Sequence, residues 1–387
     1  MYPFLLKHIC CPVDKGSLEI VVFEQQRVIL TEEQNNFIRN NGHTFSDFEI
    51  NILSGLLLNR RKKIFYPIFA GVPRLLTFKH SLLDKFNNQF LSELVKFTQN
   101  GYSYVQDEEI PGEKNILASF SNEWTDYGYS EEVYWGQSTN VYNESLFSTI
   151  NHENQNLKHK LVLEVGIGSG GSANFMSNKF NCNLIGVDLG YSVDVANKNF
   201  AKNPFLHIVQ ASVFNLPFAN ETFDFVYSHG VIHHTFNTQK AFNALAKLPK
   251  SGGRLYIWVY SVLNEQRTLK RRIIMLMERL IRPWCSMLPG WLQTVVLVPI
   301  APLYIFHQNT INIDSKTGMA KYRWREAMHA ARDRFTPKYI HRHSETEVIK
   351  WFLELGYKDV RPLSIKKLPD FVPVGFYMNT GVEGFKQ

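Results

Sequence analysis

The chain reads as an α/β protein built on a seven-stranded, mostly parallel sheet that closes with an antiparallel hairpin. Three observations predict this. From Leu161 onward, short β-branched and apolar runs alternate with helical segments, as parallel strands joined by crossover helices do. The first of these runs opens onto a turn of closely spaced glycines. The pattern ends on an amphipathic helix, Glu345–Leu355, followed by two short apolar runs suited to a closing hairpin.

In chain order, residues 1–77 form a small α+β domain. It has an apolar strand at Leu18–Phe23, a polar, Asn-rich middle, a turn-like basic cluster at Asn59–Lys63 and a second apolar run over Ile64–Leu76. Residues 78–156 are a connector, helical at first and then aromatic from Phe120 to Trp135. The main domain, 157–387, holds candidate strands at Leu161–Val165, Leu184–Val187, Leu206–Gln210, Phe223–Ser228 and Leu255–Tyr260, with helices after the first, second and fourth. Tyr357–Leu363 and Val374–Met378 supply the hairpin. Between the fifth strand and the last helix lies a helical cap insertion at about 263–328.

The insertion needs its own account, because no charged residue occurs from Trp284 to Phe306 and the preceding Arg267, Lys270, Arg271, Arg272, Arg279 and Arg282 are basic. By length this suits a membrane span. Pro289, Gly290, Pro299 and Pro302 cut it into short helical pieces, so a buried lid ranks first, a peripheral membrane contact through 267–306 second and a span last.

With 44% hydrophobic and 20% charged residues over 387 positions, the chain is globular, and disorder is excluded. The net charge of +7 permits contact with nucleic acid or anionic lipid, yet it is ordinary for an enzyme of this size. Cys10, Cys11, Cys182 and Cys285 make no paired framework, and the N-terminus shows no charged start followed by an apolar run. The expectation is a cytoplasmic setting, with membrane association as the secondary option.

The chemistry concentrates in Leu161-Val-Leu-Glu-Val-Gly-Ile-Gly-Ser-Gly-Gly171. Glycines at the strand-to-helix turn accept positive φ and let a ligand approach the backbone, so a small cofactor is expected at Gly166, Gly168 and Gly170. The spacing also satisfies a dinucleotide fingerprint, and alone it does not separate the two cofactor classes. Glu164 does: a dinucleotide strand stays apolar there, whereas a carboxylate accepts from the cationic amino group of a methionine moiety. Asp188, about 20 residues after the glycine turn, is placed to hold both hydroxyls of a ribose. A helix-capping role is its bland alternative.

Further on come Val213-Phe-Asn-Leu-Pro-Phe218, Phe223-Asp-Phe-Val-Tyr-Ser228, His233-His234 and Lys250-Ser-Gly-Gly-Arg-Leu-Tyr-Ile257. In these segments the chain resembles the ubiquinone/menaquinone-biosynthesis-like (type 11) branch of class I S-adenosylmethionine-dependent methyltransferases. The resemblance is strong from Leu157 to Tyr260. It implies a Rossmann-like fold, S-adenosylmethionine as cofactor, and a cofactor site at Glu164, Gly166, Gly168, Gly170, Asp188, Ser212, Val213 and Ser228. It departs from the family pattern at Ser212, where an acid usually accepts from the adenine amino group, and at Ser251, where proline is usual. A neutral acceptor at 212 is weaker by about 1 kcal/mol.

The N-terminal unit, in Cys11-Pro-Val-Asp-Lys-Gly16, Gly55-Leu-Leu and Phe65-Tyr-Pro-Ile-Phe-Ala-Gly-Val-Pro-Arg-Leu76, resembles the small zinc-ribbon-like domain of tRNA-methyltransferase activators. Only Cys11 remains of the two cysteine pairs, with Asp14, Asn59 and Lys62 at the matching positions. No metal is therefore expected, and the unit is read as scaffold or substrate selector.

In-line methyl transfer requires alignment and exclusion of water more than a covalent nucleophile. If the acceptor needs a base, His234, then His233, lie beyond the fourth strand on the ligand-binding rim; packing beside the cofactor is the alternative for both. Asp333, Tyr339, His341 and His343 are candidates for the acceptor pocket, and the Phe120–Trp135 aromatics either cover the cofactor or pack the connector. The apolar cap argues for a bulky, lipophilic small-molecule acceptor. The rivals are an RNA methyltransferase, which the missing Asn/Asp-Pro-Pro-aromatic motif disfavours, a catalytically silent scaffold, and a nicotinamide oxidoreductase.

Overall fold

The computed structural model describes the chain apart from residues 106–109, 127–132, 135–136, 153–154, 263–268, 311–320 and 373. Its larger sheet has seven strands: Leu161–Val165 (β5), Asn183–Asp188 (β6), Leu206–Gln210 (β7), Phe223–His229 (β8), Pro249–Val259 (β9), Lys358–Pro362 (β10) and Thr380–Phe385 (β11). They run in the order β10-β11-β9-β8-β5-β6-β7. The five strands β5 to β9 pair in parallel, and β11 pairs antiparallel with both β9 and β10. Strands β5, β6, β7 and β9 carry near-continuous apolar runs because helices bury both faces of such a sheet. The helices Gly171–Phe180, Ser192–Phe200 and Thr238–Leu245 follow β5, β6 and β8, as expected.

In this sheet, one element differs from its sequence reading. Val374–Met378 is not a strand: Val374–Tyr377 is a helical turn, and the last strand is Thr380–Phe385. That strand looks weak in sequence because Gly381, Glu383 and Gly384 interrupt it. Packing explains all three. A Cβ at Gly381 would sit 2.9 Å from the Tyr256 hydroxyl, one at Gly384 would sit 2.9 Å from the Phe352 ring, and Glu383 is buried against Arg254 at 3.1 Å.

The N-terminal segment forms a separate antiparallel sheet of Glu19–Arg27 (β1), Ile50–Asn59 (β2), Ile64–Phe69 (β3) and Val72–Pro73 (β4). Strand β2 lies within what the sequence presents as a polar middle. The helix Glu32–Asn40 precedes it, opened by a capping box in which Thr31 and Gln34 bond reciprocally. At the zinc-ribbon-like corner, Cys11 Sγ lies 3.3 Å from the Tyr66 hydroxyl, Asn59 Nδ2 donates to Asp14 at 2.8 Å and Arg61 pairs with Asp14 at 2.6 Å. Hydrogen bonds close this corner.

The two sheets share one core. A continuous hydrophobic cluster runs from Leu5, Ile9 and Leu57 through Leu75 to Val209, Ala211 and Phe218. The backbone joins them as well: Leu75 N donates to Gln210 O at 2.8 Å and Cys10 N to Pro217 O at 2.8 Å. Arg74, only 1% exposed, lies at this seam and bonds Asp194, Gln210 and the Phe69 carbonyl. In this way β4 covers the open edge of β7, which would otherwise present unpaired backbone groups.

The insertion holds the helices Leu269–Cys285, Gly290–Leu297 and Ala301–Thr310, followed by Trp324–Phe335. Cys285, Leu297 and Ala301 pack on Ala327, Met328, Ala331 and Phe335 as a small core of their own. That inner face is enclosed, while Leu276, Leu280, Trp284, Met287 and Trp291 are exposed. No described helix is long and apolar enough to cross a membrane.

Candidate active site

The glycine turn after β5 is built as its sequence requires. Gly166, Gly168 and Gly170 have φ of 93°, 54° and 82°, the left-handed region that disfavours side chains. At two of them the protein itself fills the space: a Cβ on Gly166 would meet Val231 at 2.2 Å, and one on Gly170 would meet Ala196 at 2.8 Å. The turn then enters the helix Gly171–Phe180.

Three adjacent strand ends carry the polar groups. At the end of β5, Glu164 is buried and accepts from the Tyr227 hydroxyl at 2.7 Å. Burial pushes its pKa up to about 8, opposed in part by the tyrosine bond and reinforced by the nearby Asp188 carboxylate. At the end of β6, Asp188 accepts from Gly168 N at 2.9 Å and Gly190 N at 2.8 Å, so it fixes the glycine turn. At the end of β7, Ser212 accepts from Phe214 N at 3.0 Å and donates to the buried carboxylate of Glu113. Strands lie about 4.8 Å apart, so the row from Glu164 to Ser212 spans about 10 Å, the length of a nucleoside bearing a short chain.

Glu113 is the residue that sequence reasoning missed. It opens the helix Glu113–Asp126, which crosses the strand ends and is tied down where Ser121 Oγ accepts from Tyr191 N at 2.7 Å. The Pro111-Gly112-Glu113 run signals a helix start, but nothing local pairs it with a serine 99 residues away. The connector thus places a carboxylate beside the position where the methyltransferase pattern has one and this chain has serine.

The remaining residues divide. Val213 begins the turn after Ser212, half-buried beside it. Ser228 is fully buried and its hydroxyl donates to Val165 O at 2.9 Å between strands, so its side chain serves the sheet and leaves only its backbone for a cofactor. His233 and His234 sit together, ring centroids 4.2 Å apart, beneath the cap. His233 packs on Tyr260 at 4.1 Å, and burial lowers its pKa well below the usual value. His234 Nδ1 donates to the Tyr339 carbonyl at 3.1 Å, which fixes the tautomer with the lone pair on Nε2.

That Nε2 faces Asp333 at 3.9 Å, and Asp333 accepts from the Tyr260 hydroxyl at 2.9 Å. Burial lowers the His234 pKa and Asp333 opposes the shift. Phe120 meets the His234 ring edge-on, centroids 5.2 Å apart, joining the connector to the rim. His341 N donates to His233 O at 2.9 Å, and His343 N to Tyr260 O at 2.9 Å. The Asp333-to-His343 segment and the paired histidines therefore form one cluster. Tyr127 and Trp135 lie outside the described residues.

Residues 163–257 match the family model described as Methyltransferase domain, about a quarter of the chain. The sterol 24-C-methyltransferase erg6 of Schizosaccharomyces pombe is 26% identical over 192 residues, 44% of this chain and 50% of that protein. The chloroplastic tocopherol O-methyltransferase of Arabidopsis thaliana is 28% identical over 168 residues, 39% of this chain and 45% of that one. The chain spans about half the length of these curated relatives. Among solved structures, the Haemonchus contortus phosphoethanolamine N-methyltransferase 2 in complex with phosphomonomethylethanolamine and S-adenosylhomocysteine superposes with a TM-score of 0.41. It shares 14% identity over 73% of this chain and 61% of that one.

Proposed function

We propose that this protein, whose residues 163–257 are a methyltransferase domain, is an S-adenosylmethionine-dependent enzyme that methylates a bulky, lipophilic small molecule. The observation that carries the reading is the row of acceptors on three neighbouring strand ends beside the glycine turn. Glu164 suits an α-ammonium, Asp188 a pair of ribose hydroxyls, and Ser212 with Glu113 the amino group of an adenine. The backbone donors of Gly168 and Gly190 orient the Asp188 carboxylate beside the glycine turn.

When bound, the cofactor supplies a methyl group on a sulfonium. The chain's part is to align and to exclude water: the helix Glu113–Asp126 brings Glu113 to Ser212 and is tied to the cap where Asn115 Nδ2 donates to the Ser286 carbonyl at 2.9 Å. For an acceptor that must lose a proton, His234 Nε2 would receive it, and Asp333 would stabilise the imidazolium. His233 is assigned to holding that ring. The apolar cap supports a lipophilic acceptor, as do two relatives named for a sterol and a tocopherol. Residues 1–77 act as scaffold for the edge of the sheet.

Calorimetric titration with S-adenosylhomocysteine tests the reading. Saturable binding by the wild type, abolished in a Glu164→Ala, Asp188→Ala variant that still melts cooperatively, is expected. A folded wild type that binds nothing refutes it.

A further inference from the structure

We infer that the outer face of the cap is a docking surface for an anionic lipid bilayer. The cap helices present large apolar side chains to solvent every three or four residues: Leu276, Leu280, Trp284 (76% exposed), Met287 (81%), Trp291 (68%) and Val295. Scattered exposed leucines are normal, but a regularly spaced run that includes two tryptophans is not. The segment from Trp284 to Phe306 carries no charge, so nothing on the helix Gly290–Leu297 offsets its apolar exterior. Exposed helices of soluble proteins carry charge on their outer side.

Among the described residues of the helix Leu269–Cys285, the exposed charges are cationic. Arg272 and Arg279 are exposed on the helix Leu269–Cys285. The single acid of that helix, Glu278, points inward and is fully buried, bonded to Arg342 at 2.9 Å and Arg282 at 3.0 Å. The exterior is thus apolar with a cationic border and no acid from its own helix, the pattern of a helix lying in the headgroup region with tryptophans at the boundary. A second copy of the chain fits less well. An isologous contact sets the same patch against itself and brings the two arginine borders together.

The inference stands apart from the methyl-transfer reading, since the face lies outside the strand-end row. Its consequence for that reading is the route by which a lipophilic acceptor enters: from the bilayer, beneath the cap.

Full-length protein is sedimented with vesicles of phosphatidylcholine alone and of phosphatidylcholine mixed with phosphatidylserine. The expected result is binding to the anionic vesicles, weakened by salt, with tryptophan emission quenched by brominated acyl chains. The triple variant Trp284→Ser, Met287→Ser, Trp291→Ser is expected to partition roughly tenfold less or weaker while binding S-adenosylhomocysteine and melting as the wild type does. Arg272→Glu, which leaves the apolar residues in place, weakens binding to anionic vesicles only. Absence of binding to either vesicle, binding unchanged in the triple variant, or a wild-type dimer that the triple variant converts to monomer overturns the inference.

Discussion

At the scale of single residues, Glu164 makes the sharpest statement. Its carboxyl is held near 8 by burial, against 4.5 for an exposed glutamate, so between those values the folded apoprotein keeps a proton that the unfolded chain has lost. Stability from this group is therefore greatest at or below the lower value and declines as pH rises toward the upper one. A bound ammonium favours the ionised form, and cofactor binding near pH 7 should release a proton. Titrations with S-adenosylhomocysteine in phosphate and in Tris at that pH should give enthalpies that differ by the buffer's ionisation heat. The difference should vanish in Glu164→Gln; equal enthalpies in the wild type would show that Glu164 is already ionised. Glu164, the three glycines and Asp188 were legible because all their constraints are local: a sharp turn, a close approach and strand ends. Glu113 was not, because its meaning lies in Ser212, 99 residues away.

At the scale of elements, the helix Glu113–Asp126 turns a departure in the β7 end into a complementation. Glu113→Gln should weaken S-adenosylhomocysteine about 5- to 10-fold, the cost of replacing one charged acceptor by a neutral one. Adding Ser212→Asp to that variant should restore affinity by returning the carboxylate to the loop. An inosine analogue, which lacks the adenine amino group, should discriminate poorly between wild type and Glu113→Gln. Calorimetry reads all three, and unchanged affinity in Glu113→Gln would assign the helix to packing alone. The parallel strands were readable because both their faces are buried and their sequences are apolar throughout. Strand β11 was hidden because neighbouring rings force glycine at two positions and an ion pair puts glutamate at a third. Strand β2 was hidden by its flanking asparagines and polar approach.

At the scale of the whole molecule, the union of the two sheets depends on Arg74. Replacing it with methionine leaves Gln210 and the Phe69 carbonyl without their buried donor, and strips Asp194 of its partner. Because Asp194 can still reach water, the expected loss is about 2–4 kcal/mol, short of that for a fully enclosed pair. Thermal unfolding should register it as a fall of roughly 2–5 °C, or as a separate early transition if the small sheet detaches first. None of this assembly was visible in sequence, where the two units differ in pattern and nothing marks their shared face. The seam also has a temporal side. Tyr2 bonds the Ala201 carbonyl and Lys15 bonds the Leu216 carbonyl, so this segment is translated some 200 positions ahead of its partners. At ordinary ribosomal speeds the nascent small sheet waits roughly 10–40 s for the edge it covers. During that interval Leu5, Ile9 and Leu75 have no counterpart, and the pace of synthesis and the attention of chaperones bear directly on the yield of native protein.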